Sequence, residues 1–424
     1  MNAVFTIVAQ NYIAQATTLA SSIHKANPDL DVFIFIVGDA DKIEKTGRGA
    51  AIIQVSELGI PQMTEMAFKY DVTEFCTAVK PHCFLHLLET LGYEKVIFFD
   101  PDIYVYHDLS VIYDMLTTAT IVVTPHILFP EIRYTGAIPE GLLMFVGIYN
   151  LGFIAVKKTA QSISILEWWK TRLEQSCYAD KVDGLHVDQK WIDFLPAFCG
   201  SDLLISKHVG MNVAIWNLHE RTLVTKDGRY FIANRNNPDM IEPLIFYHFA
   251  KFDPKSTSII HRDYKNIDRT MYDEFAALYD AYGKLMLENR HEEFVKIPYA
   301  YNYFENGTAI VKFQRRLYRR LLEMGYSYSN IFSTGGDSFY HELIENKLTG
   351  ETITKIDSLN ERDYEGFNKK IKLLNMLFIT LKMIIGGRNY FMLMKLLLRY
   401  CRPENQVFLL SKYRREYVFK NENQ

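Results

Sequence analysis

Four apolar runs of strand length, at residues 3–9, 32–37, 51–55 and 95–99, alternate with segments of helical period at 13–26 and 73–91. Strands that are apolar at nearly every position must be covered on both faces, and the covering elements available here are the intervening helices. The pattern therefore predicts an α/β fold: a Rossmann-like, mostly parallel sheet with helices on both faces. In open sheets of this kind ligands bind beyond the carboxyl ends of the strands, so the chemistry is expected where the apolar runs stop. Farther along, 120–124 and 149–156 read as strands, 163–176 and 187–194 as helices. Residues 223–233 read as a hairpin turning at Lys226-Asp227-Gly228, because Asp-Gly suits a tight turn. The stretch 125–147, rich in Gly and Pro, reads as a long loop over the site.

After Phe252 the pattern changes. Residues 254–258 resemble a linker, and most of 268–424 has helical period, with breaks near Asn306-Gly307, 333–336 and Gly386-Gly387. The expected division is a catalytic domain over 1–255 and a mainly helical, basic region over 256–424. Charge divides along the chain too. Residues 1–310 carry 27 Lys and Arg against 38 Asp and Glu, whereas 311–424 carry 20 against 12. Within 368–402, Lys372, Asn375 and Lys382 share one side of an apolar helix, and Lys395, Arg399 and Arg402 share one side of another. Basic helices of this type can lie on an anionic membrane surface; a bundle with solvated basic faces is the alternative. The basic clusters lack a nucleic-acid-binding pattern, so DNA and RNA are not expected partners.

The five cysteines are scattered and have no CxxC spacing, which favours a reducing compartment and no structural zinc. The first ten residues lack a basic segment and a small-residue cleavage site, and no run approaches about 18 uncharged apolar residues. Neither a signal peptide nor a transmembrane helix is expected. A cytoplasmic location follows, with peripheral attachment to the inner face of the membrane as its variant.

The sharpest chemical signal is Val96-Ile-Phe-Phe-Asp100-Pro101-Asp102. A buried strand ends in two carboxylates one residue apart, hard oxygen donors suited to Mg²⁺ or Mn²⁺. A solvated turn is the plain alternative, since Asp-Pro-Asp is ordinary turn chemistry.

At these residues the chain resembles a known group. Asp100-Pro101-Asp102 after an apolar strand is similar to the DxD motif of GT-A glycosyltransferases. The order of motifs over residues 3–253 resembles glycosyltransferase family 8 and its bacterial relatives. The resemblance implies that Ala9, Asn11 and Tyr12 form the first nucleotide-binding turn, with Gln10 where an acidic residue is common. Lys80 stands where family members place a cation near the nucleotide and metal carboxylates; a surface cation on a helix is the other reading. Asn150 and Gly152, in Tyr149-Asn-Leu-Gly-Phe, match the strand lining the donor-sugar pocket. Asp188 and Gln189 match the pair that meets the sugar hydroxyls and the anomeric face, although Asp188 can also cap the following helix.

His248 matches the ligand that completes the metal site with Asp100 and Asp102, and imidazole beside two carboxylates suits Mn²⁺. A buried core histidine is the alternative. The family's phosphate-binding Lys is unmatched, because His248 is followed by Phe-Ala-Lys251-Phe-Asp-Pro; Lys251 and Lys255 are the candidates. Trp216 and its polar neighbours could line the acceptor side or form core. The implied activity is transfer of a sugar from a nucleotide diphosphate donor, first of all a UDP-sugar, to a glycan, lipid-linked or protein hydroxyl in polysaccharide biosynthesis. Retention at the anomeric carbon is the family expectation; inversion would require a base such as Asp188 or Asp193. The competing reading is a non-catalytic scaffold at the membrane that binds glycan or nucleotide.

Overall fold

The computed structural model describes residues 1–38, 49–256, 258–264, 267, 269–350 and 366–416. The chain forms two compact units: Met1–Pro61 with Val72–Ala300, and Gln62–Asp71 with Tyr301–Gln424. The strands of the first unit begin with β1 (Asn2–Ala9), β2 (Asp31–Val37), β3 (Ala51–Gln54), β4 (Lys95–Phe99) and β5 (Ile103–Val105). They continue with β6 (Ile121–Pro125), β7 (Tyr149–Lys157), β8 (Ala179–Asp180), β9 (Leu185–His186) and β10 (Leu203–Ile205). The last four are β11 (Arg221–Lys226), β12 (Arg229–Asn234), β13 (Asn237–Pro243) and β14 (Phe246–His248).

Seven of these strands form one sheet in the order β10-β6-β7-β4-β1-β2-β3. Strand β7 runs antiparallel to both neighbours, and the other adjacent pairs are parallel. The α/β class and the mostly parallel sheet are thus as expected from the alternation. Successive side chains of a strand point to opposite faces, which shows how both faces are covered. Val4, Val8, Ile97 and Phe99 pack in one cluster with Ile13, Ala16 and Leu19 of the helix Ile13–Ala26 and with Ile112 and Leu116 of Ser110–Thr118. On the other face Phe5 meets Phe35, Phe98 and Phe84, the last from the helix Lys80–Leu85.

The chain lays β1, β2 and β3 outward in one direction and then crosses to place β4 on the other side of β1. The carboxyl ends of β1 and β4 therefore flank a topological switch point, the crevice where such sheets hold ligands. A separate antiparallel sheet, β11-β12-β13, contains the expected hairpin, with Asp227 and Gly228 at positive φ in its turn. The stretch 125–147 carries a short helix, Glu140–Val146, and 73–91 is broken into Val72–Ala78, Lys80–Leu85 and a π-turn.

The units divide at Ala300 and not near residue 256, where the composition changes. Residues beyond the linker-like segment still belong to the first core. Tyr279, Tyr282 and Met286 of the helix Ala276–Glu288 are buried with Tyr247 and Phe249, and the Tyr282 ring stacks on Phe249 at 4.0 Å. Helical period marks the element, but not which core receives its apolar face. The second unit recruits Gln62–Asp71 through Arg315, whose guanidinium donates to the carbonyls of Phe68 at 2.5 Å and Tyr70 at 2.8 Å. Its core gathers Phe68, Phe304, Leu317, Tyr318 and Phe339. It ends in helical segments, as the sequence pattern anticipates.

Candidate metal centre

Strand β4 ends at the buried Phe99, and the chain turns through Asp100-Pro101-Asp102 into β5. The turn is fixed by its backbone: Asp100 N–H donates to the Gly152 carbonyl of β7 at 2.8 Å, and Ile103 N–H donates back to the Asp100 carbonyl at 3.1 Å. Strand β5 then pairs antiparallel with β14, Ile103 opposite His248, and Phe249 N–H donates to the Asp102 carbonyl at 2.8 Å. That register brings a histidine from far along the chain to the two carboxylates. His248 Nε2 lies 3.0 Å from Asp102 Oδ1 and 3.9 Å from Asp100 Oδ2. Each of the three residues offers a ligand atom, all within 4.8 Å of one another.

The imidazole is held from both sides. Trp216 meets it edge to face at 5.1 Å, and Gly152 lies against it so closely that an added Cβ would sit 2.4 Å from Cε1 and 2.6 Å from Nδ1. The close approach that Gly152 permits is by the His248 ring. Asp102 and His248 form a pair: burial alone would raise the carboxyl, but the imidazole's charge and hydrogen bond hold it below the usual carboxylate range. Burial pulls His248 down, and the charge and hydrogen bond of Asp102, with the charge of Asp100, override it and raise the ring.

Asp100 is pushed up to about 6, chiefly by burial, with Asp102 and Asp188 adding like charge against the opposing pull of Lys80 and His248. Its side chain still keeps 32% of its surface open, so it is reachable from solvent. The site thus gathers two carboxylates around one imidazole, and its surplus negative charge falls on Asp100. A divalent cation bonded to both carboxylates and to Nε2 would relieve that surplus, and the donor set fits Mn²⁺ or Mg²⁺.

Lys80 is buried beneath this centre. Its Nζ donates to Asp188 Oδ2 at 2.5 Å and to the Leu151 carbonyl at 2.9 Å, and lies 4.0 Å over the Phe98 ring. Neither the exposed-cation reading of Lys80 nor the capping reading of Asp188 holds. The two side chains are 1% and 3% exposed, and Asp188 makes no side-chain cap to the following 3₁₀ turn, Gln189–Phe194. Gln189 accepts from Leu151 N–H at 2.9 Å and donates to the Val146 carbonyl at 2.8 Å, so its amide ties β7 to the end of Glu140–Val146. Asn150 accepts from Gly152 N–H and from Asn212 Nδ2, at 3.1 and 3.2 Å. Asp188, Gln189 and Asn150 are therefore buried, hydrogen-bonded groups. The segment around Trp216 is largely core: Val213, Ile215 and Leu218 are buried, and Asn217 bonds the carbonyls of His126 and Asn212.

At the carboxyl end of β1, Ala9 is buried, Asn11 Oδ1 is enclosed without a hydrogen-bond partner, and Tyr12 is half-buried. Burial and the charge of Asp102 raise the Tyr12 hydroxyl; the guanidinium of Arg262, hydrogen-bonded to it, acts in the opposite direction. Lys251, at φ 52°, is exposed and paired with Asp263. Lys255 is exposed and paired with Glu292. Arg262 is the cation that sequence reasoning missed. It sits in a short irregular turn with no motif around it, and only the fold brings it beside Tyr12.

No family model matches the chain. Among curated proteins, Uncharacterized protein YfnF of Bacillus subtilis (strain 168) is 26% identical over 257 residues, spanning 58% of this chain and 80% of that one. Uncharacterized protein YfnD of the same organism is 24% identical over 255 residues, spanning 58% and 76%. Among solved structures, the galactosyltransferase LgtC in complex with donor and acceptor sugar analogues is 16% identical, with a TM-score of 0.38 over 68% of this chain and 96% of that chain. The glycosyltransferase GlyE of Streptococcus pneumoniae TIGR4 is 13% identical, with a TM-score of 0.36 over 72% and 66%.

Proposed function

We propose that the chain is a metal-dependent glycosyltransferase of the GT-A type, akin to family 8, that takes a sugar from a nucleotide diphosphate donor and passes it to a hydroxyl. The observation that carries the proposal is the convergence of Asp100, Asp102 and His248 at the switch point between β1 and β4. A UDP-sugar is the donor we favour, with transfer of a hexose to a glycan, lipid-linked or protein acceptor in polysaccharide biosynthesis. That none of the five cysteines is in a disulfide supports a cytoplasmic setting.

In this reading Asp100, Asp102 and His248 hold Mn²⁺ or Mg²⁺, which when bound offsets the negative charge developing on the leaving diphosphate. The turn at Ala9, Asn11 and Tyr12 receives the nucleoside, with the unpartnered Asn11 carbonyl oxygen available to a donor group on the base. Arg262, beside Tyr12, and Lys251 place positive charge on the diphosphate side. Asn150 and Gly152 shape the sugar pocket, and Lys80 fixes the Asp188 carboxylate and, through the Leu151 carbonyl, the strand that carries them. Asp188 meets sugar hydroxyls, and Gln189 positions the same strand from beneath. Retention needs no dedicated base, because the acceptor attacks from the face the diphosphate leaves.

A thermal-shift panel of nucleotide sugars with and without Mn²⁺ tests the proposal. Stabilisation by at least one donor, dependent on the metal, is expected. No metal-dependent response to any donor would favour a scaffold.

A further inference from the structure

The second unit carries a surface that the centre does not explain. The helical segment Phe367–Tyr400 contains no buried residue and no Asp or Glu, yet holds seven cations: Lys369, Lys370, Lys372, Lys382, Arg388, Lys395 and Arg399. Leu373, Met376, Leu377, Ile379, Met383 and Ile384 are each more than half exposed, as are Phe391, Met392, Leu396 and Leu398. An isolated exposed apolar residue is ordinary, but ten within one element form a surface that water disfavours.

The segment is not one straight rod. Gly386 has φ 77° and ψ 158°, outside the helical region. The Phe378 and Tyr390 rings approach to 6.3 Å, whereas twelve residues of continuous helix would separate their backbones by about 18 Å. The chain therefore folds back at Gly386 into two short helices. Phe378, Leu381, Ile385, Tyr390, Leu393 and Leu397 are among the half-buried positions, whereas the ten strongly exposed apolar residues face away from the fold.

We propose that this folded-back pair of helices is an interfacial anchor that lies on a membrane rich in anionic phospholipids. The apolar side chains would enter the acyl boundary while the cations meet lipid phosphates. Charge complementarity selects this occupant, since a segment with seven Lys and Arg and no Asp or Glu of its own disfavours pairing with a second copy of itself. The pair does not cross the bilayer: among the described residues no helix is long and apolar enough to span one, and Lys382 and Arg388 flank the bend that would have to enter the hydrocarbon first. In-plane docking keeps those charges at the headgroups. This inference is independent of the chemistry at the metal centre.

The test is flotation of the full chain with vesicles of phosphatidylcholine alone and of phosphatidylcholine with phosphatidylglycerol. Binding to the anionic vesicles only is expected. Each cation near the surface is worth about fivefold in partition, so replacing Lys372, Lys382, Arg388 and Lys395 together by Gln should weaken binding on the order of several hundredfold. Leu373→Gln with Leu377→Gln should weaken it on the order of tenfold or more, with the thermal midpoint unchanged because both residues are exposed. Failure to float with anionic vesicles would overturn the inference. So would equal flotation with neutral vesicles, or a concentration-dependent dimer that the two Leu→Gln changes abolish.

Discussion

Gly152→Ala is the substitution whose effect follows most directly from the geometry. The added Cβ would lie 2.4 Å from His248 Cε1 and 2.8 Å from Asn150 Oδ1, whereas ordinary contacts begin near 3.4 Å. The imidazole must retreat by about 1 Å, and it is pinned by Asp102 at 3.0 Å and by Trp216 at 5.1 Å. Forcing an extra methyl into such packing costs about 1–3 kcal/mol. At roughly 2–4 °C per kcal/mol, the melting midpoint should fall by about 2–12 °C. The larger consequence is for the cation, because metal–ligand distances tolerate only about 0.2 Å. Affinity for Mn²⁺ should drop on the order of 10- to 100-fold, the range seen when a group that orients a ligand is lost. Calorimetric titration of Mn²⁺ into wild type and variant, with melting curves on the same samples, separates the two effects. A variant that titrates with wild-type affinity would refute the claim that Gly152 exists to seat the His248 ring.

Three other perturbations probe the surroundings. Lys80→Met should destabilise by about 3–5 kcal/mol in chemical denaturation, because it leaves the Asp188 carboxylate buried and unpaired; adding Asp188→Leu should recover part of that loss. His126, buried and held down to about 4 mainly by desolvation, is neutral in the folded state and ordinary when unfolded, so its contribution is present above about 6.5 and lost as pH falls toward 4. His126→Asn should flatten the fall in stability over that window, and an unchanged slope would contradict the assignment. Arg315→Leu strips donors from the carbonyls of Phe68, Tyr70 and Tyr301. Limited proteolysis should then cut within Gln62–Asp71 faster than in wild type.

Much of the first unit was legible because its strands announce themselves. An apolar run such as Val96-Ile-Phe-Phe has one sensible place, the centre of a sheet covered on both faces, and Asp100 and Asp102 then fall at a carboxyl end without further information. The antiparallel direction of β7 was not legible, since Tyr149–Lys157 is as apolar as the parallel strands of the sheet and direction depends on the connections around it. For Lys80 the resemblance pointed toward the metal carboxylates while helical position alone allowed a surface cation, because periodicity cannot reveal that a charged face turns toward a buried carboxylate. The three-residue strand β5 lacked enough pattern to be seen, yet its pairing with β14 delivers His248 to Asp102. Arg262 was invisible for a related reason: its importance comes from a neighbour, Tyr12, that only the fold supplies.

The central claim is that Asp100, Asp102 and His248 hold a cation that makes a nucleotide diphosphate leave. Release of nucleoside diphosphate from a nucleotide-sugar donor, measured with and without Mn²⁺ for wild type and Asp102→Ala, tests it most directly. Metal-dependent release is expected from wild type and none above background from Asp102→Ala in a protein that remains folded. Equal release by the two proteins, or release by wild type that is indifferent to removal of divalent cations, would contradict it.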